Sequence, residues 1–413
     1  MTNRIQTLVL PNGVAILGES MPWLESAALS LIMPAGCVWD PPECLGLANF
    51  TCEMSERGAG SRNSREFLET LEFLGAQWSG SVSVAHTSFG AAVPHDRLFD
   101  VLPLFADLVR RPQLPQSQLE DARQSCLQEI HAIEDDLAHR ALAALRERFF
   151  PTPWGRGIEG KIATIENVTY DHVQEFFTQR YHAGGAIVSV AGKFDWDATV
   201  TQIEELWGDW SAHEQSSPPT ADPEQGYHHL QHESAQTQIA IACPSVPYRD
   251  QNFYQSRGAI GVLSDGMSSR LFSEVREKRG LAYTVSASCH SLRDYGAVLC
   301  YAGTTPDRAQ ETLDVLLSEL NRLNDGIEQQ ELNRLKARIK SMLIMQQESS
   351  RARSSQMAGS WYHLGRVQTL EEIGKIIDEL SCDSINAYLQ AQPLQDFTIV
   401  TLGPQPLEIP SGV

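Results

Sequence analysis

The 413-residue chain carries 32 Lys and Arg against 52 Asp and Glu, a formal net charge of −20. An acidic surface of this kind excludes the clustered cations that grip nucleic-acid phosphates or anionic bilayers. Hydrophobic residues make up 42% and charged residues 20%, the usage of a globular chain with a sizeable core, and the length calls for two or more domains. The longest apolar runs, such as Ala27–Ala35, fall far short of the roughly 20 residues a membrane span needs. The opening Met1-Thr-Asn-Arg-Ile lacks the basic-then-apolar order of a signal peptide. Eight cysteines are scattered without a Cys-x-x-Cys pair and read as buried, reduced thiols. The expectation is a cytoplasmic protein, with the periplasm as the alternative.

In chain order, strand-like alternation at Val14–Leu17 and Ala27–Met33 leads into the segment Gly46–Met54. Asp96-Arg97 then begins a helix with Leu98, Val101, Leu102, Phe105 and Val109 at helical spacing. Thr169 is placed as the N-cap of an amphipathic helix, followed by an apolar strand, Ala186–Ala191, closed by Gly192. Ser211–Gln225 contains Ser216-Ser-Pro-Pro-Thr and Asp222-Pro-Glu, polar and proline-bearing, and reads as a linker. Beyond it lie strands at Gln238–Ala242 and Val298–Ala302, then a helix opened by Thr305-Pro306 with Leu313, Leu316, Leu317 and Leu320 on one face. Ser381 caps a last helix before a strand, Phe397–Leu402, closed by Gly403.

This order is an internal duplication. Ile165–Phe176 aligns with Ile377–Tyr388, and Gly46–Phe50 with Gly258–Val262, both at an offset of 212. Asp96-Arg97 aligns with Asp307-Arg308 at 211, and Arg65…Trp78 with Arg270…Tyr283 at 205. The predicted fold is α+β: two duplicated α/β-sandwich halves, each a sheet with helices packed on it, facing a central cleft. The predicted boundaries are 1–210 for the first half, 211–226 for the linker and 227–413 for the second half.

Gly46-Leu-Ala-Asn-Phe-Thr-Cys-Glu-Met54 resembles the N-terminal motif G-L-A-H-x-x-E-H-M of the pitrilysin/insulinase metallopeptidases, which are inverzincins. In that family two His four residues apart hold zinc and the Glu between them activates the attacking water. The resemblance covers nearly the whole chain and puts Glu129, 76 residues after Glu53, at the third ligand position. Here, however, Asn49 stands for the first His, Cys52 for the general-base Glu and Glu53 for the second His. Zinc sites use three protein ligands plus an open position for water, and an Asn amide is a poor substitute for imidazole. The chain is therefore expected to bind no metal and to cleave no peptide alone. Two other readings are an oxygen-rich Mg²⁺ or Ca²⁺ site built from Asn49, Glu53 and Glu129, and a Cys52 nucleophile served by His131. A helix face that no longer carries a metal is preferred to both.

The second half keeps its signature. Asp265-Gly-Met-Ser-Ser-Arg-Leu-Phe-Ser-Glu-Val-Arg276-Glu-Lys-Arg-Gly-Leu-Ala-Tyr283 resembles the family's C-terminal motif, in which an Arg and a Tyr seven residues later hold the substrate. That resemblance assigns substrate binding to Arg276 and Tyr283, while the first half has Leu71 and Trp78 at the matching positions. A guanidinium offers a fork of donors to peptide carbonyls, and a phenol adds a neutral donor to a developing oxyanion. The combination is similar to the zinc-less subunit of bacterial two-chain members of the family. It implies a heterodimer with a zinc-bearing paralogous subunit, or else a homodimer, acting on peptides added to the edge strand near Trp78–Ser83. The competing expectation is a catalytically inactive scaffold or assembly protein of the same fold.

Overall fold

In the computed structural model, residues 5–213 and 217–409 are described. Met1–Arg4 of the opening segment and Ser216 of the linker lie outside them. Two compact units are present.

In the first unit, a six-stranded sheet is built from β1 (Ile5–Val9), β2 (Ala15–Ser20), β3 (Ser26–Met33), β6 (Gln77–Val82), β7 (Thr87–Pro94) and β8 (Ile187–Gly192); β4 (Gly58–Ala59) and β5 (Arg62–Asn63) form a separate short ladder. The sheet order is β1-β2-β8-β3-β7-β6, antiparallel except for β2 with β8. The second unit holds a five-stranded sheet of β9 (Tyr227–Gln231), β10 (Thr237–Pro244), β11 (Ala282–Ser291), β12 (Gly296–Thr304) and β13 (Thr398–Gly403). Its order, β11-β12-β10-β13-β9, is antiparallel except for β13 with β9. Read from the opposite end it is β9-β13-β10-β12-β11, which matches β2-β8-β3-β7-β6 in order and strand direction. The duplication seen in the sequence is thus a duplication of topology, and β6 and β11 are equivalent edge strands.

The pleat sends alternate residues to opposite faces, and both faces of each sheet are apolar. In the first unit Ile16, Leu29, Leu31, Val188 and Val190 join the core made with Phe50, Phe67, Phe105 and Trp207 of the helices that follow in sequence. The other face, with Ala15, Leu17, Ile32, Ile187 and Ala191, packs on Met357 and Ala358 of the helix Ser350–Leu364. In the second unit Ile239, Ile241, Val298 and Cys300 pack with Ile260, Leu263, Leu316 and Leu389. Ala240, Ala242, Leu299 and Val400 pack with Ala141, Leu145 and Phe149 of the helix Leu137–Phe149. Each sheet therefore receives its second covering layer from the other half of the sequence. The compact units are 1–132 with 156–220 and 344–368, and 133–155 with 221–343 and 369–413, rather than the contiguous halves 1–210 and 227–413. The reason is that a sheet apolar on both faces needs two layers, and the local helices supply only one.

The exchanged helix Ser350–Leu364 is fastened by more than apolar contact. Arg353 Nε donates to Glu19 Oε2 of β2 at 2.7 Å, with the two side chains 1% and 2% exposed. The Ser26 and Ser350 hydroxyls lie 3.0 Å apart. Among the described residues, no helix is long and apolar enough to cross a membrane.

Candidate functional site

Gly46 begins the first-half motif with φ +92, a left-handed conformation that favours glycine. The buried Asp40 carboxylate accepts from Gly46 N at 2.7 Å and Ala48 N at 2.8 Å, satisfying donors at the start of the helix Leu47–Ser55. Burial nonetheless pushes its pKa up to about 7. Asn49 and Glu53 then lie one turn apart on one helical face, with Glu56 in the next turn. Asn49 Nδ2 donates to Glu129 Oε2 at 2.9 Å. Glu53 Oε1 accepts from Arg57 Nη2 at 2.6 Å, and Arg57 also donates to Ser125 Oγ at 3.2 Å on the helix that carries Glu129.

These contacts decide whether zinc suits the site. Glu129 and Glu53 are the only carboxylates at ligand positions; one is joined to an amide and the other to a guanidinium. No imidazole replaces either missing His, and among the described residues no group of three or more His, Cys, Asp or Glu is placed to hold a metal. The residues do not fit zinc, and the Glu53 carboxylate is paired with Arg57 instead. The Cys52 thiol is buried and pushed well above its ordinary pKa by desolvation and by the carboxylates of Glu56 and Glu53. A reactive cysteine needs the reverse environment, and His131 lies exposed on its helix.

The second-half pair sits on two local irregularities. Arg276 belongs to a π-helical segment, Phe272–Lys278, and its guanidinium lies 4.7 Å from the Phe272 ring and 4.7 Å from the Tyr283 ring. The neighbouring cations Lys278 and Arg279 are paired with Glu274 at 2.6 and 2.5 Å. Among the described residues, Arg276 has no carboxylate partner. Tyr283 occupies a β-bulge: Ala282 pairs with Thr304 and Thr284 with Gly303, so two steps along β11 match one along β12. π-turns and bulges both re-aim side chains and recur at functional sites. Here the bulge leaves Tyr283 81% exposed on an edge strand. The reversal between the two elements is held by Leu281 N to Val275 O at 2.8 Å and by Gly280 at φ +60. Trp78, at the matching place on β6, is half-buried and packs edge-on against Phe67 at 6.2 Å, and Leu71 is fully buried. The first half thus turns inward what the second half presents.

Three residues of the first-half site escaped the sequence reading. Arg57 stands four residues after Glu53, a helical ion-pair spacing that could have flagged it. Glu56 continues the same face; its half-buried carboxyl is raised to about 7 by desolvation and by the charges of Glu53 and Glu129. It lies against the backbone of edge strand β6, where a Cβ on Gly80 would come within 2.0 Å of Oε1. Asp40 left no signal, since its partners are backbone amides.

The family pattern described as Insulinase (Peptidase family M16) matches residues 15–161, and the one described as Peptidase M16 inactive domain matches residues 167–339. The chain belongs to the M16 peptidase family, the pitrilysin/insulinase metallopeptidases. It is 27% identical over 385 residues to an uncharacterized zinc protease of Rickettsia felis, covering 91% of this chain and 92% of that one. It is 26% identical over 408 residues to an uncharacterized zinc protease of Bacillus subtilis, covering 97% and 98%. Its fold is shared with the M16 inactive-domain peptidase of Pseudomonas fluorescens (TM-score 0.89, 21% identity, 98% and 99% coverage). It is also shared with a chain of complex III2 from Candida albicans (TM-score 0.83, 18% identity, 97% and 96% coverage).

Proposed function

We propose that this chain is the non-catalytic, peptide-binding subunit of a two-chain zinc peptidase, and that Arg276 and Tyr283 complete an active site whose zinc is held by a paralogous partner. The observation that carries the reading is the contrast between the two motifs. Asn49 and Glu53 are tied to Glu129 and Arg57, while the exposed Tyr283 ring and a guanidinium without a carboxylate partner are held together by a π-turn and a bulge. Val275 and Leu281, beside them, are buried, while Tyr283 is left exposed. The Arg276 fork suits the carbonyls of an extended peptide and the Tyr283 hydroxyl suits an oxyanion. The test is reconstitution with a paralogue bearing H-x-x-E-H: neither chain should cleave an unfolded peptide alone, and the mixture should. Activity of the mixture that is indifferent to Arg276→Ala and Tyr283→Phe would overturn the assignment.

A second reading, a scaffold or assembly protein, is favoured by the likeness in fold to the complex III2 chain. It expects no peptide binding by this chain under any pairing. The exposure of Tyr283 is what it leaves without a purpose.

A further inference from the structure

The second unit contains a cavity of about 220 Å³ between the loop Asp265–Ser269, which opens the second-half motif, and the helix Gln329–Gln346. Arg334 and Arg338 line it from the helix, four residues apart and therefore on one face. Neither guanidinium has a carboxylate partner among the described residues. Arg338 reaches the loop: a Cβ on Gly266 would meet its Nη1 at 2.5 Å, and the φ of +97 at Gly266 favours glycine there. Ser268 and Ser269 line the opposite wall. Ser269 is 4% exposed, and its buried hydroxyl has no hydrogen-bond partner. Buried polar groups are nearly always paired, so this hydroxyl points to an occupant.

The remaining polar groups set the sign of that occupant. Glu331 also lines the cavity, but both its oxygens accept from Arg270, at 2.8 Å each. Asp265 is exposed at the rim. Two cations therefore face one uncommitted carboxylate, in a protein whose overall charge is −20. Both guanidiniums are exposed to solvent, so an anion is drawn to them by their charge and not by a need to neutralise buried cations.

We propose that this cavity binds a small tetrahedral oxyanion of the phosphate class, held by the guanidiniums of Arg334 and Arg338 and the hydroxyls of Ser268 and Ser269. Planar forks with several donors match such an anion, and charge-assisted hydrogen bonds are the strong ones. Asp265 at the rim accepts the O–H of a monoprotonated phosphate or of an attached hydroxyl. The site does not depend on the peptidase reading, because its readout is binding alone.

The experiment is calorimetric titration of the full chain with inorganic phosphate at fixed ionic strength, with D-glucose 6-phosphate as a second arm to separate a free anion from a phosphate monoester. One saturable site is expected for at least one of the two. The double variant Arg334→Gln/Arg338→Gln, both exposed positions, should weaken it by about tenfold or more. Ser269→Ala should weaken it less. A circular dichroism melt of each variant confirms that it is folded. No saturable heat with either ligand, or equal affinity in wild type and the double variant, overturns the proposal.

Discussion

The guanidinium of Arg276 lies 4.7 Å over the ring of Tyr283, seven residues on, with a second ring, Phe272, at the same distance. A cation over an aromatic face is attracted by the ring quadrupole, so each residue fixes the orientation of the other without an ion pair neutralising the charge. That arrangement separates two contributions. Tyr283→Phe keeps the face and removes the hydroxyl; Tyr283→Leu removes both. In the reconstituted peptidase, Tyr283→Phe should lower kcat by about tenfold to a hundredfold with little change in KM, the signature of a lost oxyanion donor. Tyr283→Leu should raise KM as well. Because Tyr283 is 81% exposed, neither change should alter stability by more than about 0.5 kcal/mol in a denaturant titration.

Zinc affinity should be recoverable by restoring the donors. Asn49→His, Cys52→Glu and Glu53→His together rebuild two imidazoles and a base around Glu129. Elemental analysis is expected to find about one zinc per chain in this triple variant, consistent with three protein ligands, and none in the parent. The apo variant should melt below the parent, since Cys52 is 4% exposed and a carboxyl there is costly to bury. Added zinc should raise it again. Stoichiometric zinc on the parent chain, lost on Glu129→Ala, would contradict the account of the first half.

The exchanged helix should be sensitive to its buried ion pair. Removing one partner of such a pair leaves the other charge desolvated, so Arg353→Met alone should cost about 3–5 kcal/mol. Replacing both as Arg353→Met/Glu19→Leu should recover most of that loss. Urea titrations of the four proteins form a double-mutant cycle. An additive double variant would show that the pair, 2.7 Å apart and 1–2% exposed, does not couple this helix to β2.

A pH dependence follows from Glu56. Its pKa is raised from the ordinary 4.5 to about 7 by burial and by the charges of Glu53 and Glu129. The folded state therefore holds a proton over a range in which the unfolded chain has released it. This contribution is fully present below the unfolded value and declines as pH rises through about 7. Glu56→Gln should match the parent near pH 4 and exceed it by roughly 2 kcal/mol at pH 8, less than the full displacement gives because the carboxyl is only partly buried. Asp40, also raised to about 7, adds a slope of the same sign in both proteins and cancels in the difference. Parallel melting curves across pH would remove Glu56 from this role.

Much of the structure was written in local chemistry. Thr169 and Ser381 cap the helices Tyr170–Arg180 and Cys382–Ala391, each accepting from the backbone three residues on. Strands expected at Ala27–Met33 and Phe397–Leu402 fall within a residue of β3 and β13. Caps and apolar alternation act over a few residues, and a repeated order of them forces a repeated sheet. The loss of both imidazoles from the Asn49–Glu53 motif was likewise visible in residue identity alone, and so was the seven-residue spacing of Arg276 and Tyr283.

Tertiary structure decided what those residues meet. An amphipathic helix such as Leu137–Phe149 carries the same stripe whichever sheet it covers, so its place against Ala240, Ala242 and Val400 depends on which apolar face was left bare. The same holds for Arg57 joined to Ser125, for Tyr283 turned outward by a bulge while Trp78 turns inward, and for the unpaired Ser269 hydroxyl. Each depends on partners brought together by long-range packing, where burial and the supply of hydrogen-bond partners, rather than local propensity, set the outcome.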